Sequence, residues 1–184
     1  MKLKTSLFST ALAVLAVVVS ASAMAQTPKR GGTLTFAVSA DPPNYDCHAN
    51  ASFAFIHPVR PHYSTLLKFD APNYPKITGD LATSWKVAKD GLTYTFKLRN
   101  NVKFHDGSAM TSADIKATYD RIRTPPAGVR SLREATFADV ATIETPDAQT
   151  VVFKLKKTNA SMLSNFASPW DCVYSAAKLK QDPK

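Results

Sequence analysis

Metal-ligand and nucleophile patterns are missing from this chain, and their absence removes several classes of function before any element is placed. The four histidines are His48, His57, His62 and His105. His57 and His62 stand five apart and would not share a helix face, and no HExxH or CxxC spacing occurs, so no metal site is expected. No serine sits in GxSxG, and Gly31-Gly32 precedes an alternating stretch instead of opening a helix, which excludes a phosphate-cradling loop. No catalytic residue and no cofactor are therefore expected, and the chain reads as a non-enzyme.

Apolar runs are equally scarce. The one that stands out, Ala11 to Val19, is shorter than the roughly 18 to 20 residues of a membrane span. It follows Lys2 and Lys4 and precedes Ala23-Met24-Ala25, the pattern of a signal peptide over residues 1–25 cleaved after Ala25. Export to the periplasm is expected, without a lipid anchor, because no cysteine directly follows the small residues at the cleavage site and the first is Cys47. The mature chain of roughly 160 residues suits one domain with a sizeable core.

Acidic residues are also few: 14 against 23 Lys and Arg give a formal net charge of +9. The basic residues are scattered, with no run beyond Lys156-Lys157 and no aromatic-basic platform, so nucleic acid is not an expected partner. The charge alone motivates an alternative reading, a secreted basic module that binds anionic surfaces or polymers. There are only two cysteines, Cys47 and Cys172, near opposite ends of the mature chain. In an oxidising compartment they are expected to bond, and two free buried thiols are the alternative.

What is present is mostly alternation. "GGTLTFAV" from Gly31 to Val38 alternates as a strand, which "SADPPNYD" ends in a proline-rich loop of the kind that often carries ligand contacts. Phe53 to Tyr63 predicts a helix broken or delayed by Pro58 and Pro61, "STLLKFD" a short strand, and "APNYPKITGD" a turn-rich connection. "LATSWKV" and "TYTFKL" flank Asp90-Gly91 as a hairpin, with Tyr94, Phe96 and Leu98 on one face. "FHDG" reads as a turn, and His105-Asp106 as turn residues. Thr111 and Asp114 have capping-box spacing before a helix whose buried stripe is Ile115, Tyr119 and Ile122, ended by Pro125-Pro126. A second hairpin of "DVATIE" and "QTVVFKL" is expected to turn at Pro146-Asp147. "NASMLSNFA" then predicts a short helix, and "WDCVYS" a strand entering a helix at Ala176.

For binding, two aromatic residues stand out. Tyr45 in the post-strand loop and Trp170 in "SPWDC" could each stack on a ligand and offer one hydrogen bond. Asp41, Asp46 and Asp171 could meet a cationic ligand group.

The blocks "RGGTL", "LATSWKVAKDGLTYTFKLRNNVKFHDG", "TSADIKATYDRI" and "DAQTVVFKLKKTNASMLSNFAS" follow one another in an order that resembles the family 5 solute-binding proteins of ABC transporters. The resemblance covers nearly all of the mature chain and implies an α/β fold of the periplasmic-binding-protein type, a Venus flytrap whose two lobes close on a solute. Here it implies most of lobe I, with the second lobe missing. Residues 26–48 would be the first segment of the lobe I core, 49–168 an inserted α+β subdomain, and 169–184 the return into the core. Cys47 and Cys172 would then lie at the two crossings. The implied function is capture of peptides or similar small solutes by a monomer that delivers them to an inner-membrane ABC permease, with Tyr45 and Trp170 as cleft contacts. A truncated, non-functional remnant is a further alternative.

Overall fold

The computed structural model describes residues 30–182. The signal peptide expected at 1–25 and the beginning of the 26–48 segment lie outside the described residues. Contacts group Met1–Ala37 as one unit and Val38–Lys184 as another. Among the described residues of the first unit there is no helix or strand, and Leu34 and Phe36 are exposed. The strand expected at Gly31–Val38 is therefore corrected. Alternation creates an apolar edge, but a strand exists only where a second backbone completes its ladder, and no described strand pairs with this one.

Within the second unit the elements run α1 (Phe53–Val59), β1 (Leu67–Phe69), β2 (Ile77–Gly79), β3 (Ala82–Val87) and β4 (Thr93–Leu98). They continue with α2 (Ser112–Arg123), β5 (Val140–Asp147), β6 (Thr150–Leu155), α3 (Met162–Phe166) and α4 (Ala176–Gln181). The strands β1 and β2 form a small antiparallel pair, and the other four form an antiparallel sheet ordered β3-β4-β6-β5. The helix α1 contains Pro58 and gives way to a 3₁₀ turn at Arg60–His62, with Pro61 at its start, where a missing N–H costs least.

The first hairpin forms as its turn chemistry directs. Gly91 has φ +70°, a conformation that its missing Cβ permits, and Leu92 N–H donates to Asp90 Oδ1 at 2.9 Å. Trp85 faces Phe96 across the ladder, and Tyr94, Phe96 and Leu98 are buried while Lys97 is exposed. The second hairpin differs from expectation: β5 continues to Asp147, and the turn is Ala148-Gln149. Asp147 accepts from Gln149 N–H at 2.8 Å and from the Thr150 hydroxyl at 2.7 Å, so its side chain closes the turn after it. Pro146 is accommodated because β5 is an edge strand with a register shift between Glu144 and Asp147.

The helix α2 lies across β5 and β6, and its stripe of Ile115, Tyr119 and Ile122 is buried at 0–1% exposure. Phe166, supplied by α3, sits at the centre of that core. Its ring lies 4.7 Å from Phe153, 5.0 Å from Phe96, 5.6 Å from Tyr119 and 5.7 Å from Phe137. Each tilted or edge-on pair is worth about 0.5–1.5 kcal/mol beyond area burial.

The strand expected in "WDCVYS" is also corrected. Trp170 closes a turn, and residues 171–175 belong to no helix or sheet. Val173 N–H donates to the Ser64 carbonyl at 3.0 Å and Tyr174 N–H to Thr118 Oγ1 at 3.0 Å. Side chains and a loop satisfy this backbone in place of a ladder.

Candidate functional site

Beside α1, Phe55, Ile56 and Val59 bury against Cys47 and Cys172 in a second, smaller cluster. The two cysteines form a disulfide with Cα atoms 6.0 Å apart at a sequence separation of 125. This bond joins the loop after Val38 to the segment before α4.

A polar seam surrounds the bond, and one helix face supplies half of it. Asp114, Thr118 and Arg121 fall at i, i+4 and i+7 on α2, next to the apolar stripe. Asp114 Oδ2 accepts from Thr111 N–H at 2.7 Å, and its Oδ1 accepts from Ala176 N–H at 2.8 Å, so one carboxylate caps the starts of both α2 and α4. Thr118 accepts from Tyr174 N–H. Arg121, 5% exposed, pairs with Asp46 at 2.8 Å and donates to His48 Nδ1 at 2.7 Å. With Nδ1 accepting, His48 Nε2–H donates to the Cys172 carbonyl at 3.0 Å. The Tyr174 hydroxyl accepts from Cys47 N–H at 2.8 Å and lies 3.4 Å from Asp46 Oδ1.

Charge states follow from this packing. Burial, reinforced by the Arg121 charge, brings His48 down to about 4 in spite of its bond to the Cys172 carbonyl, so the imidazole is neutral at pH 7. Burial would raise Asp46, but the hydrogen bond and charge of Arg121 outweigh it and hold the carboxyl below its ordinary value. Burial pushes the Tyr174 hydroxyl up, which keeps it protonated.

Against this seam opens a cavity of about 560 Å³. Tyr45, Tyr63, Phe104 and Tyr174 give it aromatic walls, and Asp46, Arg121, Asp106 and Lys178 bring charge to its lining. Arg121 holds Asp46, Lys178 approaches Asp106 at 3.7 Å, and Asp182 adds a further carboxylate to the lining. His105 and Asp106 are turn residues as the sequence reads: Asp106 Oδ1 accepts from Ser108 N–H at 3.0 Å and Gly107 has φ +84°. Their turn nevertheless forms part of the cavity wall, which places the "FHDG" block beside the candidate site.

Of the two aromatic candidates, Tyr45 lines the cavity with 72% of its surface exposed. Trp170 does not line it. Its ring stacks on Phe55 at 6.0 Å and carries the Arg133 guanidinium at 4.9 Å. Asp41 is exposed, Asp46 is held by Arg121, and Asp171 is fully buried. Sequence reasoning missed Arg121, His48 and Tyr174. The Asp114, Thr118, Arg121 spacing puts three polar residues on one helix face, which is the ordinary pattern of a solvated face, so no local signal marked Arg121 as buried. Among the described residues no group of three or more His, Cys, Asp or Glu side chains is placed to hold a metal ion, and no helix is long and apolar enough to cross a membrane.

Residues 76–184 match the family described as Bacterial extracellular solute-binding proteins, family 5 Middle. An ABC transporter peptide-binding protein of Brucella ovis is 38% identical over 160 residues, which are 85% of this chain and 29% of the relative. Among solved structures, the AgaA protein of A. tumefaciens R10 in complex with agropinic acid is similar with a TM-score of 0.72 and 28% identity, over 78% of this chain and 28% of that one. A dipeptide-binding protein of Pseudoalteromonas sp. SM9913 in complex with Met-Leu has a TM-score of 0.68 and 25% identity, over 78% of this chain and 32% of that one. The chain thus spans about three-tenths of the length of the proteins it matches.

Proposed function

We propose, because this chain belongs to family 5 of the bacterial extracellular solute-binding proteins, that it forms part of the solute-capturing lobe of an ABC importer's binding component. In this reading it works in the periplasm, takes peptide-sized solutes without covalent chemistry, and delivers them as a monomer to an inner-membrane permease. Residues 26–48 and 169–184 form the lobe's core and 49–168 its inserted subdomain, with the Cys47–Cys172 bond fastening the two crossings. The relatives, a peptide-binding protein and a dipeptide-binding protein in complex with Met-Leu, support peptides as the solute class.

The observation that carries the proposal for this chain is the cavity. Its volume lies within the roughly 300–1,000 Å³ of small-molecule sites, and its walls combine aromatic faces with charged side chains, two pairs of which are ion pairs. Such a surface binds by stacking and hydrogen bonding. Tyr45 is the aromatic contact in this reading, since Trp170 is committed to Phe55 and Arg133.

Calorimetric titration of the chain with the dipeptide Met-Leu tests this. Saturable binding is expected, weakened about tenfold by Tyr45→Ala, which corresponds to about 1.4 kcal/mol. No saturable heat would remove the cavity as a peptide site, and unchanged affinity in the variant would remove Tyr45 from it.

A further inference from the structure

Asp171 is 0% exposed, and neither of its carboxyl oxygens has a hydrogen-bond partner. The Tyr119 hydroxyl, at the buried face of α2, is likewise unpartnered and is the titratable group acting with it from that helix. The cation that acts on the carboxyl is Arg133, in the connection between α2 and β5. Arg133 is engaged elsewhere, donating to the Asn50 carbonyl at 2.6 Å and lying over the Trp170 ring. A carboxylate here would be a charge without donors, which protein interiors do not tolerate, whereas the neutral acid needs far less.

The position matters because Asp171 directly precedes Cys172. The next residues are the ones that tie this segment down: Cys172 through its disulfide and His48, Val173 to Ser64, and Tyr174 to Thr118. We propose that Asp171 is a proton-controlled lock on this segment, buried as the neutral acid, and that its ionisation releases residues 170–175 from α2 and from the loop before β1. The lock is a regulatory element of the seam and stands whether or not the cavity takes a peptide.

Burial raises the carboxyl to about 8 against the opposing pull of Arg133. In the released or unfolded chain it returns to about 4. Between those values the locked state holds a proton that the released state has lost, so the lock is complete below about pH 4, weakens as pH rises, and is fully lost above about 8. His48, one residue beyond across the Cys172 carbonyl, has the opposite sign because its value is lowered. Its contribution cancels when the native protein is compared with Asp171→Asn at each pH.

Hydrogen exchange at the Val173 and Tyr174 amides, corrected for intrinsic rate, reads the lock directly. Relative to Asp171→Asn, native protection is expected to fall at least tenfold between pH 5.5 and 8.5. Equal pH dependence in the two proteins would overturn the proposal. Carbon-13 NMR of the Asp171 carboxyl in the unaltered chain gives a second readout that needs no variant: titration well above pH 6 is expected, and titration near 4 would refute it.

Discussion

The helix α2 presents two stripes, and each builds a different region. Ile115, Tyr119 and Ile122 close an apolar core against β5, β6 and the Phe166 ring cluster. Asp114, Thr118 and Arg121, one position away on the same helix, hold the seam around Cys47 and Cys172. The first region is held by area and shape and stays comparatively indifferent to pH and redox state. The second is held by charges, directed hydrogen bonds and one covalent bond, so solution conditions reach it. The cavity wall shares Asp46, Arg121 and Tyr174 with this seam and is held by the same directed bonds.

Breaking the disulfide separates the two regions most sharply. Replacing Cys47 and Cys172 by serine should cost about 5 kcal/mol, the chain-entropy value for a loop of this size. Denaturant unfolding would report the loss, while far-ultraviolet circular dichroism of the folded variant should keep the sheet signal, since no strand includes either cysteine. Truncating Phe166→Ala attacks the other region and should cost about 4 kcal/mol, because its ring touches those of Phe96, Tyr119, Phe137 and Phe153. Near-ultraviolet aromatic signals should collapse with it. The smallest effect sharpens the contrast by pH. His48, lowered to about 4 in the folded protein, contributes stability that is present above about 6.5 and is lost as pH falls toward 4, about 3 kcal/mol in all. His48→Gln should flatten the stability profile across that window, whereas Phe166→Ala should shift it downward without changing its shape.

The apolar region was legible in the sequence because its pattern is local. Asp90-Gly91 between two alternating runs specifies a hairpin, and the 115, 119, 122 spacing specifies a buried helix face. Where local reading misled, a partner was the reason. Gly31–Val38 alternates but has no neighbouring strand among the described residues. "WDCVYS" alternates but finds Ser64 and Thr118 in place of a sheet edge. The turn of the second hairpin moved beyond Pro146-Asp147 because the Asp147 side chain accepts from Gln149 and Thr150 after it. For the site, Tyr45 was named from its loop and lines the cavity. Trp170 was named by the same reasoning and is packed against Phe55 and Arg133. Both are aromatic residues in loops, and nothing local distinguishes them.

By itself the sequence determined the hairpins, the stripe of α2, the capping role of Asp114 and the ordered blocks that identify the family, all of which depend on spacings of a few residues along one backbone. The tertiary structure alone decided that Asp46, His48, Arg121 and Tyr174 form one network, that the "FHDG" turn walls a cavity, and that Asp171 is sealed without a partner. Those facts depend on contacts across as many as 128 residues of chain. Hydrogen bonding and desolvation act over a few ångströms of space, and a one-dimensional pattern does not record which distant residues come that close.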